Sequence, residues 1–250
     1  MEIITIGNRK GGIGKSTITA QLAHGLAILG MKTLLISGDS QNDVLKLLGI
    51  TEFPEEGLYY ALENKEFKVD EIKIEVRENL DAIHMESLSL ANKLIDSIKR
   101  PEIRIRKIFD GFHEYDYVLI DTPPSDSPMN DQFYIVCDSI IVPVATNFLS
   151  SSALVAVFDY LEDLDESVDK IKMIIPNLYR VNLNQHNEHL ELIRTELEGT
   201  NIKITRPVPL RTEIERAASE GKTVFELNNK ELYDCFEEII RGVLNGKDEN

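Results

Sequence analysis

The sequence predicts an α/β fold of three layers, a mostly parallel twisted sheet between two layers of helices. Three observations carry the prediction. Short apolar runs recur near residues 3–6, 32–36, 117–120, 138–144 and 172–177. They have the continuous apolar character of parallel strands covered on both faces, and longer stretches with helical spacing separate them. The first run passes into its helix through a glycine-rich loop, Lys10-Gly11-Gly12-Ile13-Gly14-Lys15-Ser16-Thr17. At 250 residues, 42% of them hydrophobic, the chain can bury a full core, and one domain over residues 1–250 is expected.

The glycine loop comes first in the chain and carries the strongest chemical signal. Strand, glycine loop and helix in that order suit a triphosphate. Glycines let successive backbone N–H groups turn inward on an anion, and the helix that follows offers the positive end of its dipole. Lys15 is expected to reach the β- and γ-phosphate oxygens, and the Ser16 hydroxyl to sit on Mg²⁺. The usual phosphate-loop pattern has a glycine five residues before Gly14, where this chain has Arg9, followed by a second lysine, Lys10. Lys10 is poorly placed for its own phosphates but could reach a partner's nucleotide across a dimer interface. The loop resembles the deviant Walker A box of the ParA/MinD partition ATPases, in which the first lysine has that part.

The first helix should end at Gly30 and a buried strand follow it. That strand leads into Ser37-Gly38-Asp39-Ser40-Gln41-Asn42-Asp43. A carboxylate here stands near the phosphates, so Asp39 is expected to orient the attacking water or hold the metal's outer shell. Asp43 reads better as the cap of a helix over 44–48. The family usually writes this loop Asp-x-Asp-Pro-Gln. Ser37 and Ser40 depart from it, which bears on switching and hydrolysis rate.

Residues 51–76 read as a polar, acidic connection with a short helix near 58–62. A strand over 79–84, a helix over 88–98 and a basic helix over 102–112 follow. His84, at a strand end without Cys or His company, reads as a surface or capping residue. Next, Tyr117-Val118-Leu119-Ile120 ends in Asp121-Thr122-Pro123-Pro124. An apolar strand that delivers an aspartate to the sheet edge is how a Walker B element holds Mg²⁺ opposite Ser16. The same four residues match the family's Asp-x-Pro-Pro box.

A strand over 138–144, a helix over 150–164 and a strand over 172–177 come next. The resemblance makes Asn177 the reader of the adenine edge. Beyond a helix over 184–197, a strand over 202–205 and a short helix over 213–220, it puts the backbone around Pro209 in the base pocket. Arg206, Arg211 and Arg216 fall where partition ATPases touch DNA phosphates, although Glu213, Glu215 and Glu220 lie among them. The last helix, over 230–244, carries a core-facing stripe, and the tail Lys247-Asp248-Glu249-Asn250 is polar.

Composition bounds the partners. The net charge of −16 argues against a wholly basic, nucleic-acid-coating surface and leaves room for local basic segments. Cys137 and Cys235 have no metal spacing and read as buried thiols. No apolar run approaches a membrane span, no leader is expected before the first strand, and the location expected is cytoplasmic. The resemblance implies an ATP- and Mg²⁺-dependent sandwich dimer that binds non-specific DNA. A ParB-like partner would release it by triggering hydrolysis. A MinD-like positioning ATPase, a metal-carrier ATPase with paired cysteines, and a nucleotide-switched dimerisation module are the rivals.

Overall fold

A computed structural model describes residues 1–64, 66–146 and 150–244. The elements in chain order are β1 (Glu2–Ile6), α1 (Lys15–Ile28), β2 (Thr33–Ser37), α2 (Asp43–Lys46), α3 (Leu58–Glu63), α4 (Val69–Ile72), β3 (Ile74–Arg77) and β4 (Leu80–Ile83). They continue with α5 (Leu88–Ser97), α6 (Pro101–Asp110), β5 (Tyr117–Asp121), α7 (Pro128–Val136), β6 (Ser139–Ala145), α8 (Ser150–Asp163) and β7 (Ile171–Asn177). The last are α9 (Asn184–Glu196), β8 (Lys203–Ile204), α10 (Thr212–Ser219) and α11 (Lys230–Leu244). The strands form one sheet in the order β3-β4-β2-β5-β1-β6-β7-β8. β3 runs antiparallel to β4, and the other pairings are parallel.

Period-two alternation explains the layers. In β1, Ile3 faces one cluster of buried side chains while Ile4 and Ile6 face another. In β5, Val118 and Ile120 face the first cluster, and Tyr117 and Leu119 the second. Both faces of these strands are therefore apolar and both must be covered. Helices α3 and α5–α9 cover one face, through residues such as Leu62, Ile95, Phe109, Phe133, Leu161 and Ile193. Helices α1, α2, α10 and α11 cover the other, through Leu22, Val44, Ile214 and Phe236. A fully buried side chain of this size contributes about 1.5–3 kcal/mol.

Helix α1 is buried almost all round from Ile18 to Ala27, held between the sheet and α11. It ends where Gly30 turns left-handed at φ 83° and the Met31 N–H reaches back to the Leu26 carbonyl at 3.1 Å, a closing turn that glycine permits without side-chain strain. Its N-terminus is thus anchored by a core element.

Four features differ from the sequence reading. The acidic connection contains α4 and the edge strand β3, because β3 is only half-buried and carries charged residues that mask a strand pattern. Helix α7 fills the stretch after the proline pair, where Pro128 and Ser127 begin a helix and Ser127 caps the Asn130 N–H. The cap of α2 is Asn42, left-handed at φ 52°, while Asp43 is its first helical residue. His84 is buried at 3% exposure and stacked on Phe53 with centroids 5.3 Å apart, so it is a core histidine.

The basic helix has a structural use. Arg104 on α6 donates to the Leu62 and Asn64 carbonyls, and Arg106 donates to the Ile135 carbonyl. Both cations satisfy carbonyl groups at helix C-termini. Both cysteines are free and buried, and burial pushes each thiol up to about 11. No helix among the described residues is long and apolar enough to cross a membrane. The polar tail at 247–250 lies outside the described residues.

Candidate nucleotide site

The loop between β1 and α1 lies at the carboxyl edge of the central strand, flanked by β5 and β6. Ligands bind at this edge in open α/β sheets, where the strand order reverses. Gly12 and Gly14 both have left-handed backbones, at φ 72° and 86°. At Gly14 a side chain would also strike the Asn177 amide, 2.3 Å from the position of a Cβ, so glycine is required twice over.

Beneath the loop, Lys15 is 7% exposed and its ammonium donates to the Lys10 carbonyl at 3.2 Å. Ser16 Oγ donates to Asp121 Oδ2 at 2.8 Å, and Thr19 Oγ1 to Asp121 Oδ1 at 3.1 Å. Asp121 reaches this place because β5 lies beside β1 in parallel register, Ile6 opposite Asp121. On the other side Ser37 pairs with Asp121, and the Gly38 N–H donates to the Asp121 carbonyl. Thr122 closes the arrangement by donating to the Ile6 carbonyl at 2.9 Å.

Two opposite charges are buried together here. Burial holds Lys15 below the usual lysine range, opposed by Asp121 and Asp39. Burial pushes Asp121 up to about 6, opposed by its hydrogen bonds from Ser16 and Thr19 and by Lys15, while Asp39 adds to the rise. Desolvation disfavours each charged form. A phosphate chain against the amine and a hard cation against the carboxylate and the Ser16 hydroxyl would relieve both. The oxygen donors present suit Mg²⁺, which takes one or two protein ligands and completes its shell with water and phosphate oxygens.

A polar cleft of about 300 Å³ holds Gly11, Gly12, Gly14, Lys15, Ser16 and Thr17 together with Asp39, Asp43, Asp121 and Pro124. Asp39 Oδ1 accepts from the Gln41 N–H at 3.0 Å, and its carbonyl accepts from Ser37 Oγ. Ile13 turns its side chain into the interior, at 2% exposure. Lys10 is half-buried at the rim, its N–H bonded to Asn8 Oδ1 at 3.0 Å. Arg9 turns outward instead, pairing with Asp126 and lying 5.3 Å from the centre of the Tyr160 ring on α8.

A second, mainly apolar cleft of about 640 Å³ adjoins the first and shares Gly12, Gly14, Thr17 and Asp43 with it. Asn177, Val208, Pro209, Leu210 and Ile214 line it. Asn177, at the end of β7, is 4% exposed and donates from Nδ2 to the Ile13 carbonyl at 2.7 Å. Pro209 is brought alongside by an isolated bridge to Tyr179. Six residues of the predicted loop, with Asp39, Asp121, Asn177 and Pro209, thus line one continuous space, whereas Lys10 and Ile13 of the same loop do not line it. Arg211 lies at its edge, whereas Arg206 and Arg216 do not line it. Arg206 pairs with Glu238 at 3.4 Å and Arg211 with Glu231 at 3.2 Å, both on α11. The sequence reading missed Thr19, Lys46, Leu178 and Ala218. Thr19 alone had a signal, standing one helical turn after Lys15 on the face toward the sheet.

Comparisons with known proteins give the family and the fold. The AAA_31 family model, described as an AAA domain, matches residues 1–174. The sporulation initiation inhibitor protein Soj of Bacillus subtilis is 28% identical over 239 residues, 93% of this chain and 91% of that protein. A Borrelia burgdorferi B31 protein assigned to plasmid partition, solved with AMPPNP, superposes with a TM-score of 0.80 at 24% identity, covering 98% of this chain and 99% of that one. A single-residue variant of McdA from Cyanothece, solved with ATP, gives 0.83 at 17% identity over 97% and 96% of the two chains. The match over residues 1–174 includes the glycine loop and Asp121, and the chain belongs to the ParA/MinD family of P-loop ATPases.

Proposed function

We propose that this chain is a ParA-like positioning ATPase. Mg²⁺ and ATP assemble it into a sandwich dimer that grips non-specific DNA, and a ParB-like or adaptor partner releases it by stimulating hydrolysis. The observation that carries the reading is the pairing of a polar, charge-loaded cleft with an adjoining apolar one. The first suits a metal-bound phosphate chain and the second a base. Asn177 favours adenine: with Nδ2 committed to the Ile13 carbonyl, its Oδ1 is left as an acceptor for the exocyclic amine.

In this reading Lys15 and the N–H groups of residues 11–17 hold the phosphates, and Ser16 and Asp121 hold the cation, which when bound neutralises charge developing on the phosphate oxygens. Asp39 orients water. Lys10 supplies its amine to the neighbouring subunit's nucleotide, which makes hydrolysis depend on assembly. Arg206, Arg211 and Arg216 meet DNA phosphates. Freeing Arg206 and Arg211 from their α11 partners costs little, because exposed ion pairs contribute about 0–1 kcal/mol.

A switch with slow turnover is the second reading, favoured by Ser37. Its buried hydroxyl is spent on the Asp39 carbonyl, where the family usually has a carboxylate. A membrane-positioning role is disfavoured because Leu232, Phe236, Ile239, Ile240 and Val243 of α11 are buried in the core. The test is light scattering of wild type and Lys10→Ala with ATP or ADP, followed by DNA binding across a salt series. ATP should dimerise only the wild type, and DNA affinity should fall with salt and need ATP. A Lys10→Ala dimer of normal stability would refute the contact in trans.

A further inference from the structure

Among the described residues, the non-glycine positions with left-handed backbone are Asn42, Asn79, Asp165 and Leu178. The first three are residue types that tolerate this conformation through short polar side chains. Leu178, at φ 57°, is not. It follows Asn177 directly, is half-buried, and lines the apolar cleft. The chain holds it there from both sides. The Asn177 carbonyl accepts from the Thr146 N–H at 3.0 Å, the Tyr179 N–H donates to Val208 at 3.1 Å, and the Tyr179 carbonyl accepts from the Leu210 N–H at 2.9 Å.

A glycine would make the same turn without the clash between Cβ and the backbone. The turn itself therefore does not call for a side chain at this point. Strain that surrounding hydrogen bonds over-determine, at the mouth of a cleft, is where a functional contact is expected. We propose that Leu178 is a base-contacting residue, its side chain forming an apolar wall against the base of a bound nucleoside triphosphate. This rests on the nucleotide reading above. The kink at Leu178 also sets its two neighbours: it leaves Asn177 facing the phosphate loop while Tyr179 bridges to Pro209.

The experiment uses the full chain with substitutions Leu178→Gly, Leu178→Ala and Leu178→Met, titrated calorimetrically with Mg-ATP and with Mg-tripolyphosphate, which has no base. Thermal unfolding is measured in parallel. Leu178→Gly should unfold at the wild-type temperature or above it, yet bind ATP about tenfold more weakly, as loss of a largely covered leucine contact implies. Leu178→Ala should lose similar affinity without the thermal gain, and Leu178→Met should stay within about twofold of wild type. Tripolyphosphate binding should be the same in all four proteins. Unchanged ATP affinity in Leu178→Gly overturns the proposal. So does a fall in its unfolding temperature with parallel loss of both ligands, which would mark a purely structural residue. Failure of the nucleotide reading looks different: the wild type itself would bind tripolyphosphate as tightly as ATP, or bind neither.

Discussion

The two ends of the cleft are built on opposite plans. At the phosphate end, six residues of the glycine loop line the wall with Asp39, Asp43, Asp121, Thr122 and Pro124, and charge is buried there at an energetic cost. Lys15 and Asp121 are both desolvated, and each is held away from its usual range by burial. At the base end no charge is buried. That wall draws on segments distant in the chain, among them β7, residues 208–211 and α10, joined in part by the bridge between Tyr179 and Pro209. The difference teaches where affinity should be brittle. Removing a buried charge partner leaves the other uncompensated, whereas trimming an apolar wall costs only the area lost.

The hardest test of that contrast is Lys15→Ala. Loss of the buried amine should remove calorimetric ATP and tripolyphosphate binding alike, by a factor of at least about a thousand, since charge-assisted bonds to phosphate dominate that end. Unchanged affinity would place the phosphates elsewhere.

The next test acts on the scaffold joining the ends. His24, on α1, is 8% exposed and shares a 2.6 Å hydrogen bond with Thr223, just past α10. Arg77 on β3 and Glu226 also face it, the latter 3.7 Å away. Burial lowers His24 to about 4, Arg77 assists, and Glu226 opposes. A base whose folded pKa is depressed contributes stability that is present above about 6.5 and is lost as pH falls toward 4. Relative to His24→Gln, the wild type should lose about 2 kcal/mol between pH 6.5 and 4, measured by denaturant unfolding. Parallel pH profiles would show that His24 protonates freely in the folded chain.

Asn177→Ala should fall between these and the weakest effects. It should cost ATP about tenfold and reduce the preference for ATP over GTP, while tripolyphosphate loses less because only the brace on the Ile13 carbonyl is gone. Equal losses for ATP and tripolyphosphate would make Asn177 a loop brace alone.

The same division explains what was legible in the sequence. The sheet was readable because strands covered on both faces are mainly apolar, as in 3–6 and 117–120. The phosphate end was readable because the glycine loop supplies more than half of its lining from adjacent residues, with glycine fixed by backbone geometry at 12 and 14. β3 was hidden because an edge strand mixes charged with apolar residues, and α7 because it follows closely on the Pro123-Pro124 pair and itself begins with Pro128. Leu178 had no signal at all. A left-handed leucine is dictated by the hydrogen bonds of its neighbours to Val208 and Leu210, far along the chain, which no local pattern contains. His84 was misread because polarity argued for the surface, while Phe53 and Gly57, which enclose it, come from a connection that looked unstructured.

The smallest expected effect belongs to Arg9, and it sharpens the contrast most directly. Arg9 stands one residue before the loop, carries the same charge as Lys15, and yet lies outside the cleft with its side chain 38% exposed. It joins the loop to Asp126 and to the Tyr160 ring, tying the phosphate loop to the segment after Asp121 and to α8. An exposed ion pair contributes about 0–1 kcal/mol and an exposed cation–π contact about 0.5–1 kcal/mol. Arg9→Ala should therefore lower the unfolding temperature by only about 2–4 °C and leave ATP affinity within about twofold. The double variant with Asp126→Ala should be no less stable than Arg9→Ala alone, because both substitutions break the same pair. A tenfold loss of ATP affinity in Arg9→Ala would mean that charge at this rim acts on the ligand without being buried, and the distinction between the two ends would have to be redrawn around position rather than desolvation.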